Sequence, residues 1–358
     1  MNWGAKVIRL TLYHNKEMIP SFNPEALSGF AGFIKTPKKI VITTHYKPDG
    51  DALGSSLGFK LVLESLGHQV KVVSPSEFPS FLSWMKGSKE VIDFIRNPVQ
   101  AKQAFAEAEL VCCLDFNDPK RVEGMADVLM LSPAPKMLLD HHLDPKPFCD
   151  FMFSDSGIAS TCELVYHLVN ALGITDLLNQ DAGECLYAGI MTDTGSFRFR
   201  SVTPDTHRVV AALMEKGVRN DFVHEKIYDT FSESRLRFLG NSLLNHMVVL
   251  KEFNTVYFIA SKEDMEKFKH ESGDLEGIVN YGLSILGIKM AVLFSERDKM
   301  VKISFRSKGD FSVQSFAEKN FEGGGHKNAS GGKSYLSLKD TLSKFVALLP
   351  EYKDQLSS

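Results

Sequence analysis

The sequence predicts an α/β protein with a doubly wound parallel sheet, followed by a second, smaller α/β domain. From residue 39 onward, short β-branched runs alternate with amphipathic helical segments. Acidic and imidazole residues directly follow several of these runs, and the alternation resumes after a charged helical stretch. Such alternation is typical of a parallel sheet covered by helices on both faces. We expect a cleft between the two domains.

In the first domain, the strand signals are apolar and β-branched runs, and the helix signals are longer amphipathic segments. The predicted strands are 39–43, 69–73, 109–114 and 136–139, and the predicted helices are 52–66, 160–172 and 181–191. The segment 204–245 is charged and has no strand signal, so it is predicted to be a helical connector. The predicted organisation is an N-terminal extension at 1–24, a first domain at 25–203, the connector at 204–245 and a second domain at 246–358.

The second domain repeats the alternation over a shorter length. Its predicted elements are a strand at 255–259, a helix at 275–286, strands at 288–294 and 301–306, and a glycine-rich turn at 323–325. A chain of 358 residues with 44% hydrophobic residues is long enough for about two domains with cores of their own.

Composition excludes several classes of protein. The net charge is -3, so no general basic field draws the chain onto long duplex nucleic acid. No apolar run approaches the length of about 20 residues that a membrane span needs, and the N-terminus lacks the pattern of a signal peptide. The five cysteines form no CxxC pair and are expected to be reduced core thiols. We therefore expect a cytoplasmic protein without a membrane partner.

The first cluster of chemically active residues follows the strand 39–43. His45, Asp49 and Asp51 lie on a turn that Pro48 and Gly50 permit, just before a helix. Two carboxylates and an imidazole suit Mn²⁺ better than a metal that prefers thiolates. Alternatively, Asp51 only caps the helix and Asp49 only fills the turn.

Two further clusters follow later strands. Asp115 directly ends the strand 109–114 and could bridge two ions with its two oxygens. Asp140, His141 and His142 follow the strand 136–139. One imidazole of this pair could bind a metal while Asp140 orients it from behind.

A fourth cluster surrounds Asp193, which follows an apolar segment and precedes a turn at Gly195. We expect it, like the others, at the end of a strand. Four acids and two imidazoles gathered at one sheet edge are enough for two divalent ions about 3.5–4 Å apart. Ser160 and Thr161 open a helix, where they could contact a phosphate or, with better support, serve as a plain helix cap.

These clusters resemble the four ordered motifs of the DHH phosphoesterases. The resemblance rests on His45-x-x-Pro-Asp49-x-Asp51-Ala, on Asp115, on Asp140-His141-His142 and on Asp193. It implies that His45, Asp49 and Asp115 hold one ion, and that Asp51, Asp115, His141 and Asp193 hold the other. Mn²⁺ is the expected metal, with Mg²⁺ or Co²⁺ as alternatives. Catalytic roles fall to Asp115 as the bridge and to His142, which would lie beside the scissile phosphate.

The glycine-rich segment 321–332 resembles the signature of the DHHA1 domain, which closes over the substrate in one branch of that family. Backbone N–H groups at Gly324 and Gly325 could approach a phosphate, and His326 and Arg306 would add donors and charge. The alternative is a glycine-rich hairpin without a ligand.

This domain combination is similar to that of the small nanoRNases. They remove mononucleotides from the end of very short single-stranded oligonucleotides and dephosphorylate 3′-phosphoadenosine 5′-phosphate. The alternative is a phosphodiesterase acting on cyclic di-AMP or on linear dinucleotides, and a non-catalytic nucleotide sensor has less support because all six ligand positions are filled. A dinucleotide-binding oxidoreductase is excluded, since Gly-x-Gly-x-x-Gly is missing after the first strand. A homodimer is left open.

Overall fold

The computed structural model describes residue 20, residues 22–271 and residues 273–357. The predicted extension at 1–24 therefore lies almost entirely outside the described residues. Contacts divide the chain into two units, Met1–Thr230 and Phe231–Ser358. This division falls inside the predicted connector at 204–245. The domain limits inferred from the sequence stay predictions. The cleft expected between the two domains also stays a prediction.

The first unit contains a six-stranded sheet in which every pair of neighbouring strands is parallel. The spatial order is β3-β2-β1-β4-β5-β6. From β1 the chain adds β2 and β3 on one side, and then β4, β5 and β6 on the other. The strand order therefore reverses between β1 and β4. The strands are β1 (Lys39–Thr43), β2 (Gln69–Ser74), β3 (Ile92–Asp93), β4 (Leu110–Leu114), β5 (Lys136–Asp140) and β6 (Phe151–Ser154).

Helices cover both faces of this sheet, which confirms the doubly wound prediction. Ile40 and Ile42 of β1 pack into one apolar core, and Val41 between them packs into another on the opposite face. Helices α1, α2, α5 and α6 line the first core, and α3 and α4 line the second. The helices of this unit are α1 (Pro24–Phe33), α2 (Gly50–Ser65), α3 (Pro98–Glu107), α4 (Ala126–Leu131), α5 (Thr161–Ala171), α6 (Gln180–Asp193), α7 (Pro204–Glu215) and α8 (Asn220–Tyr228).

The second unit contains a mixed sheet, as predicted for a second α/β domain. Its order is β11-β12-β10-β9-β8-β7, and only the β8–β9 pair is parallel among the described residues. Its elements are α9 (Glu233–Asn245), β7 (Met247–Leu250), β8 (Thr255–Ala260), α10 (Lys262–Lys267), α11 (Ile278–Leu283), β9 (Met290–Glu296), β10 (Val301–Ser307), α12 (Val313–Asn320), β11 (Gly324–His326), β12 (Ala329–Ser334), α13 (Leu338–Leu348) and α14 (Lys353–Ser357).

Some local predictions were wrong. The glycine-rich segment 323–325 is not only a turn, because Gly324 to His326 pair with β12 as a strand. The predicted helix at 275–286 is confined to α11, and the strand β6 was not predicted. The helical character of 204–245 is confirmed by α7, α8 and α9.

All five cysteines are free thiols, and four of them are buried. No helix in the described ranges combines the length and the apolar character needed to cross a bilayer.

Candidate metal centre

The candidate metal centre lies at the carboxyl edge of the parallel sheet, where the strand order reverses. His45 follows β1, Asp115 directly follows β4, and Asp140 is the last residue of β5. Because β1, β4 and β5 are neighbours in one parallel sheet, their carboxyl ends lie side by side. This edge is the usual ligand site of an open α/β sheet.

Asp49 connects the first cluster to helix α2. It is the N-cap residue, and its Oδ1 accepts hydrogen bonds from the amides of Asp51 (3.0 Å) and Ala52 (3.1 Å). Its other oxygen, Oδ2, lies 3.9 Å from Nε2 of His45. The cap considered for Asp51 therefore belongs to Asp49, whose second oxygen still faces the site.

Asp51 is fixed by the N-terminus of α5. Its two oxygens accept hydrogen bonds from the backbone amides of Thr161 (2.7 Å) and Cys162 (2.9 Å), and the residue is only 1% exposed. The free N–H groups at a helix N-terminus favour a negative charge. These contacts span 110 residues of sequence, so nothing local to Asp51 indicated them.

The residues that open α5 have structural roles. Ser160 is the N-cap and accepts a hydrogen bond from the amide of Glu163, which confirms the cap prediction. The hydroxyl of Thr161 donates to Oδ1 of Asp115 at 2.8 Å. Thr161 thereby orients two carboxylates, a role that the sequence interpretation missed.

Asp193 lies at the end of helix α6, so its predicted placement at a strand end was wrong. Its position depends on the close, antiparallel packing of α6 against α2, where glycines face the other helix. A Cβ atom on Gly54 would lie 2.5 Å from the carbonyl oxygen of Cys185, and one on Gly50 would lie 2.4 Å from Oγ1 of Thr192. This approach brings the end of α6 beside the start of α2.

We expect Gly189→Ala to lower the free energy of unfolding by about 1–3 kcal/mol, because overpacking a tight core forces its neighbours apart. The new Cβ would lie 2.2 Å from Sγ of Cys162 and 2.9 Å from Oδ1 of Asp51. Displacement of Asp51 should also weaken Mn²⁺ binding. Urea unfolding and calorimetric titration measure the two effects. Gly32→Ala is the matched control, since nothing lies within 4 Å of its added atom; equal stability of both variants would contradict the packing argument.

Asp115 is the central carboxylate. Its Oδ2 lies 3.5 Å from Nε2 of His45, and its Oδ1 lies 3.6 Å from Nε2 of His141. The residue is 2% exposed and has a positive φ of 65°, a conformation that Asp and Asn adopt more readily than most residues. Its two oxygens therefore face two different groups of donors.

The donors form overlapping groups that could hold metal ions, and within each group the donor atoms lie within 4.8 Å of one another. Nε2 of His141 also lies 3.8 Å from Asp51 and 3.6 Å from Asp193. These distances exceed those of good hydrogen bonds, but they suit ligands on either side of a cation. The groups are His45, Asp49 and Asp115; Asp51, His141 and Asp193; and Asp115, His141 and His142.

The two candidate histidine ligands share one orientation. Nδ1 of His45 lies 3.0 Å from the carbonyl oxygen of Tyr46, and Nδ1 of His141 lies 3.3 Å from that of Ile158. A carbonyl oxygen can only accept a hydrogen bond, so Nδ1 carries the proton in each ring. In the neutral ring, the lone pair of Nε2 then faces the carboxylates, as in most metal-binding histidines.

Asp140 orients His142. The carboxylate is fully buried, its Oδ1 lies 2.7 Å from Nδ1 of His142, and its Oδ2 accepts from the amide of His142 at 3.1 Å. The sequence interpretation had assigned this orienting contact to the metal-binding imidazole. In the structure it fixes the neighbouring ring, while Nδ1 of His141 faces Ile158.

The crowded charges shift the protonation equilibria of the site. Burial alone lowers the pKa of His45, but its contact with Asp115 and the charges of Asp49 and Asp115 outweigh burial and raise the pKa to about 9. Burial, followed by repulsion from Asp115 and Asp193, raises the pKa of Asp51. Burial opposes ionisation of Asp115, yet His45 and the other imidazoles lower its pKa. A cation that binds at this site therefore competes with protons, above all with the proton on His45.

We expect the Kd for Mn²⁺ to fall as the pH rises from 6 to 8.5. Below a pKa of about 9, His45 of the metal-free protein carries a proton that metal binding must expel. For each proton that metal binding expels, a rise of one pH unit lowers the Kd about tenfold, until the pH exceeds the pKa of the group that carries that proton. Calorimetric titration in buffers of different ionisation enthalpy measures both Kd and proton release, and a pH-independent Kd without proton release would contradict this prediction.

The predicted phosphate-binding residues lie in the second unit. His326 of β11 pairs with Ala329 of β12, which pairs with Arg306 of β10. Side chains in such a cross-strand row share one face, and strands about 4.8 Å apart place the Cα atoms of Arg306 and His326 about 10 Å apart. His326 is exposed and Arg306 is half-buried. Gly325 has a φ of 144°, and its Cβ would lie 2.6 Å from the carbonyl oxygen of Ala329, so close pairing requires glycine there.

Comparisons with known proteins agree with this architecture. The model of the DHH family, N-terminal domain, matches residues 39–190, and the model of the DHHA1 domain matches residues 254–352. The chain is 31% identical over 293 residues to the bifunctional oligoribonuclease and PAP phosphatase NrnA of Thermus thermophilus, which covers 82% of this chain and 83% of that protein.

Two solved structures extend the comparison. An exopolyphosphatase-related protein from Bacteroides fragilis is 39% identical, with a TM-score of 0.92 over 95% of this chain and 100% of that one. RecJ from Thermus thermophilus, solved in complex with Mn²⁺, has a TM-score of 0.50 over 98% of this chain and 55% of RecJ, and at 13% identity it shows a shared fold only. The chain therefore belongs to the DHH family of phosphoesterases and carries a DHHA1 domain.

Proposed function

We propose that this phosphoesterase uses two metal ions to remove mononucleotides from the end of short single-stranded oligonucleotides and to dephosphorylate 3′-phosphoadenosine 5′-phosphate. The observation that supports it best is the position of Asp115, whose two oxygens face His45 on one side and His141 on the other. In this proposal Asp115 would be a ligand of both ions. His45, Asp49 and Asp115 would hold one ion, and Asp51, Asp115, His141 and Asp193 would hold the other.

Charge balance supports two divalent ions. The candidate ligands comprise four carboxylates and two imidazoles, hence a charge of about -4 when all are deprotonated, which two divalent cations neutralise. Asp51 and Asp115 are almost fully buried, and buried charges need such partners. Nitrogen and oxygen donors without thiolates favour Mn²⁺, with Mg²⁺ or Co²⁺ as alternatives.

The arrangement of His142 supports a role beside the scissile phosphate. When bound, two such ions would lower the pKa of a shared water and neutralise charge that develops on the phosphate. Nδ1 of His142 is engaged by Asp140, so Nε2 is the ring atom that would donate to a phosphate oxygen or to the leaving oxygen. Asp140 would hold the ring in this orientation, as a carboxylate does behind a catalytic histidine.

The second unit would hold the substrate by a terminal phosphate. Among the described residues, β11 is an edge strand, so one side of its backbone is not used by the sheet. Gly324 and Gly325 are exposed on it, and the N–H group that points away from β12 could contact an anion beside His326 and Arg306. Such a local contact agrees with a net charge of -3, which offers no general attraction for long duplexes. A homodimer and a cytoplasmic location also stay predictions.

The decisive experiment offers the purified protein, with Mn²⁺, five substrates in parallel. They are an RNA dinucleotide, an RNA pentamer, an RNA of 24 nucleotides, 3′-phosphoadenosine 5′-phosphate and cyclic di-AMP. We expect hydrolysis of the dinucleotide, the pentamer and 3′-phosphoadenosine 5′-phosphate, with little turnover of the longest RNA. Turnover of cyclic di-AMP alone would favour the cyclic dinucleotide alternative, and absence of Mn²⁺-dependent hydrolysis of all five would refute the proposal.

A further inference from the structure

A second group of side chains that could hold a metal ion contains none of the candidate ligands described above. Glu163 and His167 are four residues apart on α5, so they share one face of that helix. Asp205 lies in the first turn of α7. Nε2 of His167 is 3.8 Å from Oε1 of Glu163 and 3.2 Å from Oδ2 of Asp205. The donor atoms of all three residues lie within 4.8 Å of one another.

These side chains end in buried atoms that have no hydrogen-bond partner among the residues that the structure describes. The atoms are Oε2 of Glu163, Nε2 of His167 and Oδ2 of Asp205. Glu163 is fully buried, and His167 is only 6% exposed. The contact between His167 and Asp205 is short, yet it does not have hydrogen-bond geometry. Since buried polar atoms are almost always paired, an unpaired atom on each of three neighbouring side chains indicates a missing partner.

We propose that Glu163, His167 and Asp205 bind a further divalent transition-metal ion, for which Zn²⁺ is the best probe. Two carboxylates and one neutral imidazole carry a charge of about -2, which a divalent ion balances. Ligands held at about 2.1 Å from a tetrahedral ion are about 3.4 Å apart, close to the 3.2 Å between Nε2 of His167 and Oδ2 of Asp205. Thr206 donates its hydroxyl to Oε1 of Glu163 at 3.2 Å, the kind of contact that orients a ligating carboxylate.

The position of this site suits a structural ion. It joins α5, whose first amides hold Asp51, to the start of α7. Helix α7 begins with a capping box between Thr203 and Thr206, so its first turn is fixed without the ion and Asp205 is presented to α5. We expect the ion to stabilise this unit without taking part in hydrolysis.

Metal content tests the site directly. The wild-type protein, Asp205→Asn and Arg208→Ala are stripped with a chelator, reloaded with Zn²⁺, freed of excess metal and analysed by mass spectrometry. Arg208 is the matched control because its exposed guanidinium lies 3.6 Å from Asp205 and it is not a ligand. We expect Asp205→Asn to bind one ion per chain fewer than the wild type, and Arg208→Ala to bind the same number. Equal metal content in all three proteins would overturn the proposal.

Two further measurements distinguish loss of this site from misfolding of the variant and from metal bound at the catalytic centre. Thermal unfolding in chelator should give similar Tm values for the three proteins, and Zn²⁺ should raise the Tm less for Asp205→Asn than for the others. Should Asp205→Asn fail to fold, His167→Gln replaces it. In crystals of the wild type soaked with Zn²⁺, we expect an anomalous peak between Glu163, His167 and Asp205. A water molecule there without anomalous signal would refute the site, whatever the catalytic residues bind.

Discussion

Asp115→Asn is expected to lower kcat/KM for Mn²⁺-dependent hydrolysis by about 1,000-fold or more. The substitution removes a charge from the only carboxylate whose two oxygens face both groups of candidate ligands, within the described residues. Loss of bridging should weaken both ions, and the charge stabilisation that a metal provides is worth several kcal/mol, where about 1.4 kcal/mol is tenfold in rate. Steady-state kinetics with a dinucleotide and calorimetric titration with Mn²⁺ measure the two effects.

Asp118→Asn is the matched control for this variant. Asp118 lies three residues further on and caps a short 3₁₀ helix by accepting from the amide of Lys120, so its loss touches no candidate ligand. We expect near-normal kinetics for the control. Asparagine keeps an oxygen for the hydroxyl of Thr161, so circular dichroism and Tm should indicate an intact fold. Turnover of Asp115→Asn within tenfold of the wild type would exclude the bridging role.

His326→Ala is expected to lower kcat/KM for a 5′-phosphorylated dinucleotide by about 10- to 100-fold, and to change it by less than about threefold for bis(p-nitrophenyl) phosphate. A charge-assisted hydrogen bond to a terminal phosphate is worth about 1.5–3 kcal/mol. The activated ester has no terminal phosphate, so it offers nothing for His326 to bind. Comparing the two substrates separates substrate binding from general damage to the protein.

Lys327→Ala is the matched control for His326→Ala. Lys327 is the next residue along the chain, is exposed, and pairs with Asp310 at 2.9 Å. Its substitution removes a positive charge from the same hairpin without removing a side chain from the row that contains Arg306. Equal losses for both substrates in His326→Ala, or equal losses in both variants, would count against a specific phosphate contact.

The parts of the fold that could be predicted from the sequence are those that depend on residues close together along the chain. The runs ending before His45, Asp115 and His141 are continuous and apolar because both faces of their strands are buried. Polar residues directly after such runs had to lie at the carboxyl edge of a parallel sheet. The strands β1, β4 and β5 could therefore be placed, together with the chemistry at their ends.

The remaining features depend on contacts between distant segments. Asp193 reaches the site because Gly50 and Gly54 allow α6 to approach α2. Glycines recur every four residues along α2, at 50, 54 and 58, but this pattern does not indicate which helix packs against them. The amides that hold Asp51 belong to Thr161 and Cys162, far along the chain. The group of Glu163, His167 and Asp205 was also missed, although a Glu and a His four residues apart on a predicted helix offered a local signal.

The positive φ of Asp115 restricts which amino acids evolution could place at this position. A backbone at φ 65° tolerates Asp, Asn and Gly far better than longer or branched residues. Glutamate would keep the charge, yet it loses the backbone preference and extends the carboxylate by one methylene at a position that is only 2% exposed. Asparagine would keep the backbone and lose the charge. Two independent requirements, one conformational and one electrostatic, leave aspartate as the residue that satisfies both.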